Sequence, residues 1–464
     1  MNVQKQTIKK YALIITCLLL TLDTKAQYWH AVGITGFSEG PIEAPTIAIT
    51  GSGIPYVAYT DWTAGVAINA MKFDGSNWIL AGAEAFSGDE AHGPTLAIDR
   101  SGTPYVIYQD FAYAYSYATV MKLSDTSWTF VDTPGISAGC SDFNSIAIGD
   151  SDMPYIVLGF DNTSCTGQSS VMKYNGTAWV TVGSPRFTAG DAWSTSLAID
   201  TTGTPYLAYE DFGNSKKATV MKFNGTDWVN VGIPGFSAGS VFQTSIAIDQ
   251  GGTPYVVYQD SANGEKVTVM KFNGTDWVTV GSAGFSVGIA GLGVRSIAID
   301  GAGTPYVTYE DGGHANKATV MKFNGTSWAT VGSPGISTGG VQYPSIAING
   351  SGTLYVAYAD SVDSDKVTVM EFSTASGVKN TGNQAATSMS LFPDPNHGIF
   401  TLNLSSAVTE NAAITITDMF GRKVKELTTI TNTNTELQLD VPAGLYFIST
   451  IINDESINAK IIVE

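Results

Sequence analysis

The chain has 464 residues, a net charge of −18, 50 glycines, 11% aromatic residues and only 14% charged ones. Such a turn-rich, aromatic-rich composition excludes a disordered chain, and an excess of acid this large repels phosphate backbones, which excludes nucleic acid as a partner. By length alone the chain could hold two or three average domains, a prior that the repeats below revise.

Residues 1–26 read as a secretory signal peptide. Lys9-Lys10 close a basic stretch, Tyr11 to Leu22 is an apolar run too short to span a bilayer, and Thr24-Lys25-Ala26 places small residues before Gln27. Cys17 does not fit a lipoprotein cysteine, because Leu18-Leu19-Leu20 carries the apolar run past it. Four lysines and one aspartate fall in this segment, so the remainder carries about −21, which suits a solvated exported protein. No later segment is long and apolar enough to form a transmembrane helix in the mature chain.

From residue 27 to residue 372 one pattern recurs seven times. Ile47-Ala48-Ile49 followed by Pro55-Tyr56-Val57-Ala58-Tyr59 returns with its first residue at Leu96, Ile146, Leu197, Ile246, Ile297 and Ile346. The spacings are 49, 50, 51, 49, 51 and 49 residues. The copy from Thr244 shows the content of one unit. Ser245 to Ile248 is a short apolar strand, Asp249 to Gly252 a turn, Thr253 to Tyr258 a second strand, Val267 to Phe272 a third. Asn273-Gly274 then makes a tight turn into a fourth strand, Trp277 to Val280. Four antiparallel strands every 50 residues or so make one blade of a β-propeller. The Asn-Gly-Thr triplets at Asn175, Asn224, Asn273 and Asn324 also match a glycosylation sequon, but their shared place in a hairpin favours the turn.

Trp78, Trp128, Trp179, Trp228, Trp277 and Trp328 open the fourth strand in six copies and are expected to pack between blades. The seventh copy lacks this strand, and its counterpart lies at the other end of the chain. Trp29-His30-Ala31-Val32-Gly33 with Gly36-Phe37-Ser38 matches Trp228 to Gly232 with Gly235-Phe236-Ser237. The expected fold is therefore all-β: a seven-bladed propeller closed by the N-terminal strand, with no unpaired edge there, followed by a small Ig-like β-sandwich. The expected bounds are 27–372 for the propeller, 373–388 for a polar linker and 389–464 for the sandwich.

What the copies share is scaffold, and what differs between them is free to specify binding. Just before each first strand stand Glu43, His92, Asp142-Phe143, Trp193, Val241-Phe242-Gln243, Leu292 and Gln342-Tyr343. These are expected around the mouth of the central channel, where His92, Phe143, Trp193, Phe242 and Tyr343 are candidate ligand contacts. Mixed aromatic and polar side chains suit carbohydrate, whose C–H faces are apolar and whose hydroxyls are many. The same residues could instead cap the channel or pack on neighbouring loops. The second strand ends in an acid in most copies, including Asp61, Asp110, Asp211, Asp260, Asp311 and Asp360. Asp110, Asp211, Asp260 and Asp311 are candidate acceptors for sugar hydroxyls, although an Asp at a strand end also simply opens a turn.

Cys140 and Cys165 fall in loops on one face of the third blade, and in an oxidising compartment they are expected to form a disulfide. No cofactor is expected. The acidic strings Asp260–Glu265 and Asp360–Asp365 are the places a Ca²⁺ could sit, but they lack the glycine and ligand spacing of a defined loop. No catalytic set stands out. Arg100, Arg186 and Arg295 are too few and too scattered for a sialidase-like clamp, though the Asn-Gly-Thr-x-Trp turns loosely resemble the repeats of sialidase-like propellers. A paired-carboxylate glycosidase remains open, because acids on the varied face are plentiful.

From Met389 the repeat stops. Leu391-Phe392-Pro393-Asp394-Pro395-Asn396 with Gly398-Ile399-Phe400, then Asp418-Met419-Phe420-Gly421-Arg422-Lys423-Val424, Pro442-Ala443-Gly444-Leu445-Tyr446-Phe447 and Lys460 to Glu464 follow in order. This segment resembles the C-terminal sorting domain of type IX secretion cargo, departing from the usual pattern at Asp394, where the family has Asn. The resemblance implies an export label read by the type IX machinery, with the cargo released or held at the cell surface. It covers the last sixth of the chain. The expected function is an exported binding or adhesion protein for an extracellular glycan or protein. The alternatives are a propeller glycoside hydrolase or polysaccharide lyase, and a surface component without a small ligand.

Overall fold

The computed structural model describes residues 27–463 apart from 64, 113–116, 138–144, 150, 161–166, 375–387, 393–397, 406–408, 410, 419–421 and 453–454. The signal-peptide segment, the linker, Phe143 and both cysteines of the expected disulfide lie outside the described residues. Within them the chain is almost entirely β-strand, with four short 3-10 turns (Phe212–Asn214, Ser261–Asn263, Gly312–His314 and Ser361–Asp363) and no α-helix. No helix among the described residues is long and apolar enough to cross a membrane.

The repeats form seven antiparallel sheets, six of them folded in chain order. The first consists of Ile42–Ile49, Pro55–Asp61, Ala67–Phe73 and Trp78–Leu80. The last consists of Val341–Ile348, Leu354–Asp360 and Lys366–Thr374, and its fourth strand is Gln27–Ala31. Trp29 lies opposite Phe372 there, as Trp228 lies opposite Phe223 and Trp277 opposite Phe272 in their own sheets. Strand content explains the layout. Second strands such as Pro205–Asp211 are buried along their whole length, because both faces pack on neighbouring sheets.

Two repeated polar contacts join sheet to sheet, and a third ties each connecting segment back to its own sheet. At the outer end, each tryptophan donates its indole N–H to a carbonyl of the preceding sheet's last strand: Trp78 to Val32 at 2.7 Å, Trp228 to Val182 at 2.8 Å and Trp277 to Val231 at 2.7 Å. Trp29 does the same to Val331 at 2.7 Å. A phenylalanine stacks flat on the indole, as in Phe236 on Trp277 at 4.2 Å and 9°. The glycine beneath must stay bare: a Cβ on Gly232, whose φ is +72°, would lie 3.0 Å from Phe272 and 3.1 Å from Trp277.

At the middle, a serine or threonine in the connecting segment accepts the N–H of the second residue of the third strand, as Ser237 accepts from Ala218 at 3.0 Å. At the inner end, a hydroxyl on one first strand accepts a backbone N–H from the next. Thr46 accepts from Leu96, Ser145 from Leu197, Ser196 from Ile246, Ser245 from Ser296 and Ser345 from Ile47, all between 3.0 and 3.3 Å. The hairpin triplets act as turns. Asn224 Oδ1 accepts the N–H groups of Thr226 and Asp227, both at 2.9 Å, and Gly225 takes φ +102°.

The C-terminal module pairs Ser388–Phe392, Ile399–Ser405 and Asn434–Gln438 in one sheet. Its second sheet runs in the order Lys423–Ile430, Asn411–Asp418, Gly444–Ile452, Glu455–Val463. Phe400, Leu402 and Leu404 from the first share a core with Ile414, Ile416, Ile448 and Ile461 from the second, which is the two-layer sandwich that the alternation in sequence implies.

Replacing Trp228 with Ala removes a buried indole and orphans the Val182 carbonyl, and is expected to destabilise the protein by about 3–5 kcal/mol in denaturant unfolding. Deleting residues 27–40 strips the last sheet of its outer strand and should lower the melting temperature sharply by calorimetry. An unchanged melting curve would contradict the pairing of Gln27–Ala31 with Lys366–Thr374.

Candidate functional site

The first strands line a central channel of about 400 Å³, walled by Ile and Ala side chains of all seven sheets. Directly before the channel residues, five of these strands carry a β-bulge. The pairing with the second strand slips after Glu43, His92, Trp193, Phe242 and Gln342. The next residue of each adopts a left-handed backbone: Ala44 (φ 48°), Gly93 (57°), Ser194 (47°), Gln243 (51°) and Tyr343 (50°). For a residue with a Cβ this costs on the order of 1 kcal/mol, and the bulge re-aims the side chain off the ladder. All five bulge residues line one pocket of about 480 Å³ at the channel mouth.

Glu43, His92, Gln109 and Phe111 complete the polar and aromatic part of that wall, with Leu292 on the far side. His92 is the best-held of them. Its Nδ1 lies 3.5 Å from Glu43 Oε2 and its Nε2 3.3 Å from Glu90 Oε1. Its ring meets Trp62 and Phe111 edge-on at 5.9 and 5.2 Å. Trp62 and Phe111 are half-exposed, so this cluster presents an aromatic ledge beside the opening. Across the mouth, Gln243 Oε1 accepts the Leu292 N–H at 2.8 Å. Burial first, and then the charges of Glu43 and Glu310, raise the Tyr343 hydroxyl above its usual range. The phenol therefore stays protonated and able to donate.

The sequence candidates divide. His92 and Tyr343 meet in the pocket. Trp193 and Phe242 occupy the ladder position before the bulge, opposite Glu210 and Gln259, and neither lines the pocket. In their sheets the bulge residues Ser194 and Gln243 face it instead. Trp193 packs on Phe212 at 4.6 Å, with Lys216 Nζ 5.6 Å above its ring. Phe143 lies outside the described residues.

The four aspartates are buried and do not reach the pocket. Asp260 shows why. Its Oδ1 accepts the Ala262 N–H at 3.0 Å, while its Oδ2 accepts from Asn263 Nδ2 and Thr268 Oγ1, both at 2.8 Å. Asp110, Asp211 and Asp311 make corresponding bonds to Thr119, to Thr219 with Asn214, and to Gly313 with His314. Their carboxylates hold the turn between the second and third strands. Among the described residues no three His, Cys, Asp or Glu side chains gather in a way that could hold a metal ion.

Arg295 is the residue that the repeat pattern does not announce. The sixth sheet replaces the bulge with two extra residues, so its first strand breaks into Ala290–Gly291 and Ile297–Ile299. Arg295 lies in the break and lines the channel, where its Nη2 donates to the Ile146 carbonyl at 2.9 Å. Burial pushes its pKa down to about 10. The available signal was the spacing of 51 residues from Ile246 to Ile297 beside 49 in the copies either side.

Residues 390–464 match the secretion system C-terminal sorting domain. The chain is therefore cargo of the type IX machinery, exported to the cell surface or beyond it. No curated protein matches the sequence. Solved structures with a similar fold include a protein of unknown function from Dyadobacter fermentans, at 10% identity over 74% of this chain and 98% of that one, with a TM-score of 0.43. An α-L-arabinanase of Penicillium chrysogenum complexed with arabinobiose follows at 12% identity, 61% and 93% coverage and a TM-score of 0.40. The fucose-specific lectin of Aleuria aurantia stands at 15% identity, 63% and 97% coverage and a TM-score of 0.40.

Glu210, buried beside Trp193 with Lys216 Nζ 4.0 Å away, supplies a pH test of this face. Burial raises its carboxyl from 4.5 to about 7, against the pull of Lys216. A raised carboxyl pKa means that the folded state holds the proton more tightly than the unfolded one. The associated stability is whole below pH 4.5 and lost as pH rises through 7. Glu210→Gln should thus match the wild type near pH 4 and melt above it at pH 8, as scanning calorimetry across that window would show.

Proposed function

We propose that this chain is an exported glycan-binding protein, built as a closed seven-bladed propeller over residues 27–372, with the channel mouth as its combining site. The linker 373–388 and the sorting module 389–464 serve delivery. The observation that carries this reading is the coincidence of sequence variation with the bulges: where the copies differ most, five left-handed residues turn toward one pocket. Scaffold residues are repeated because each sheet needs the same joints, whereas His92, Gln243 and Tyr343 at the mouth belong to no repeated joint.

The chemistry suits sugars. Phe111 and Tyr343 offer ring faces to C–H surfaces, and Gln109, Gln243, Glu43 and His92 offer donors and acceptors to hydroxyls. A second reading, hydrolysis of a polysaccharide, draws on the carboxylates of Glu43 and Glu310, whose charges both act on Tyr343. Burial raises Glu310, as a general acid requires.

A glycan array probed with the mature chain tests both. Saturable binding without sugar release supports the lectin reading, and release of reducing ends supports the hydrolase. Tyr343→Ala and Phe111→Ala should each weaken binding about tenfold or more, about 1.4 kcal/mol, while Phe242→Ala should leave it unchanged. Absence of binding to every glycan would overturn the proposal in favour of a surface component without a small ligand.

A further inference from the structure

The channel below the mouth is walled by aliphatic side chains interrupted by three serines, and a guanidinium projects into it. Arg295 has five N–H donors and, among the described residues, uses one, on the Ile146 carbonyl. Among the described residues no carboxylate pairs with it, and burial alone accounts for its lowered pKa. A charge held in such a setting is costly until an opposite charge meets it. Three hydroxyls share the channel with it: Ser145, Ser196 and Ser245. Each already accepts a backbone N–H from the next sheet, at 3.1, 3.1 and 3.3 Å, which occupies an oxygen lone pair and leaves the O–H proton to donate.

Among the described residues the placement is particular to one sheet. Five first strands pass the mouth through a single bulge residue, whereas the sixth spends two further residues there. Gly293 N–H donates to Ser296 Oγ at 2.7 Å, and the Ser296 hydroxyl donates back to the Gly293 carbonyl at 2.8 Å. This closed loop fixes the backbone on either side of Arg295. Leu292, Gly293 and Val294 line the mouth pocket while Arg295 lines the channel, so the loop joins the two cavities.

We propose that the channel head is a carboxylate-binding site, in which Arg295 forms the ion pair and Ser145, Ser196 and Ser245 donate hydrogen bonds. The carboxylate comes either from an acidic sugar seated in the mouth or from a small free carboxylate. The first source rests on the glycan-binding reading above, and the second does not. Glu43 and Glu310 near Tyr343 oppose the entry of a bare anion, which favours a carboxylate carried by a uronate whose ring also contacts Tyr343 and Phe111.

The test uses the full mature chain and calorimetric titration with galacturonate, galactose and acetate. Galacturonate is expected to bind at least tenfold more tightly than galactose, and Arg295→Gln should abolish that preference while leaving any galactose binding intact. Acetate binding as tightly as galacturonate, and lost in Arg295→Gln, supports the free-carboxylate source and stands even if no neutral glycan binds. Arg295→Lys keeps the charge without the planar fork and should retain a weakened preference; it serves if the Gln variant does not fold. In the wild type, chloride should compete with galacturonate. Equal affinity for galacturonate and galactose with no acetate binding, or a preference that survives in Arg295→Gln, would overturn the proposal.

Discussion

One indole N–H, donated by a tryptophan at or near the start of each outer strand to a carbonyl of the preceding repeat, sets the spacing on which the rest depends. The bond is short, and in the joint of Trp277 the ring is sandwiched between stacked Phe236 and Gly232, which has no room for a side chain; the joint of Trp179 has Asp132 at the glycine's place, with the same left-handed backbone. A polar contact enclosed in that much apolar surface is both strong and directional. It fixes the angle of each sheet to its neighbour, as the interface energies of repeat proteins do generally. The N-terminal strand takes part in two such bonds. Trp29 donates to Val331, and Val32 accepts from Trp78, so the two ends of the repeat array are held by the same 2.7 Å contact that holds its middle.

With the joints this uniform, departures from the repeat carry information. The bulges are one departure, because an aligned strand would send the residues after Glu43, His92 and Phe242 back along the ladder. The left-handed turn points them at the axis instead. The sixth sheet is the other, trading its bulge for a loop that places a cation in the central channel. Both features occupy the end of the barrel that the sequence varies, while the opposite turns keep their Asp-x-x-Gly and Asn-Gly-Thr patterns.

Much of this was legible along the chain. The period, the four strands, the outer strand at Trp29 and the role of the tryptophans all follow from spacing, since a strand's side chains alternate and a joint needs the same residue each time. The turn residues Asn224 and Asp260 were also readable, because short polar side chains cap their own following backbone. The pocket was readable only to within a residue. Trp193 and Phe242 look like site residues because they are large and variable, but the φ of Ser194 and Gln243 decides which neighbour faces the mouth, and neither residue type advertises a left-handed backbone.

By itself the sequence determined the architecture and the destination of this protein. Hydrophobic spacing dictates strands, identical joints dictate a repeated sheet, and the motifs after Met389 dictate export. Tertiary structure alone decided what meets at the axis. Glu43, His92, Gln243 and Tyr343 come from four sheets spread over 300 residues, and Arg295 reaches Ile146 across a gap of 149. No local pattern encodes such a meeting, because it arises from the rotation that each joint adds as the sheets go round, and from bulges whose geometry depends on the strand beside them.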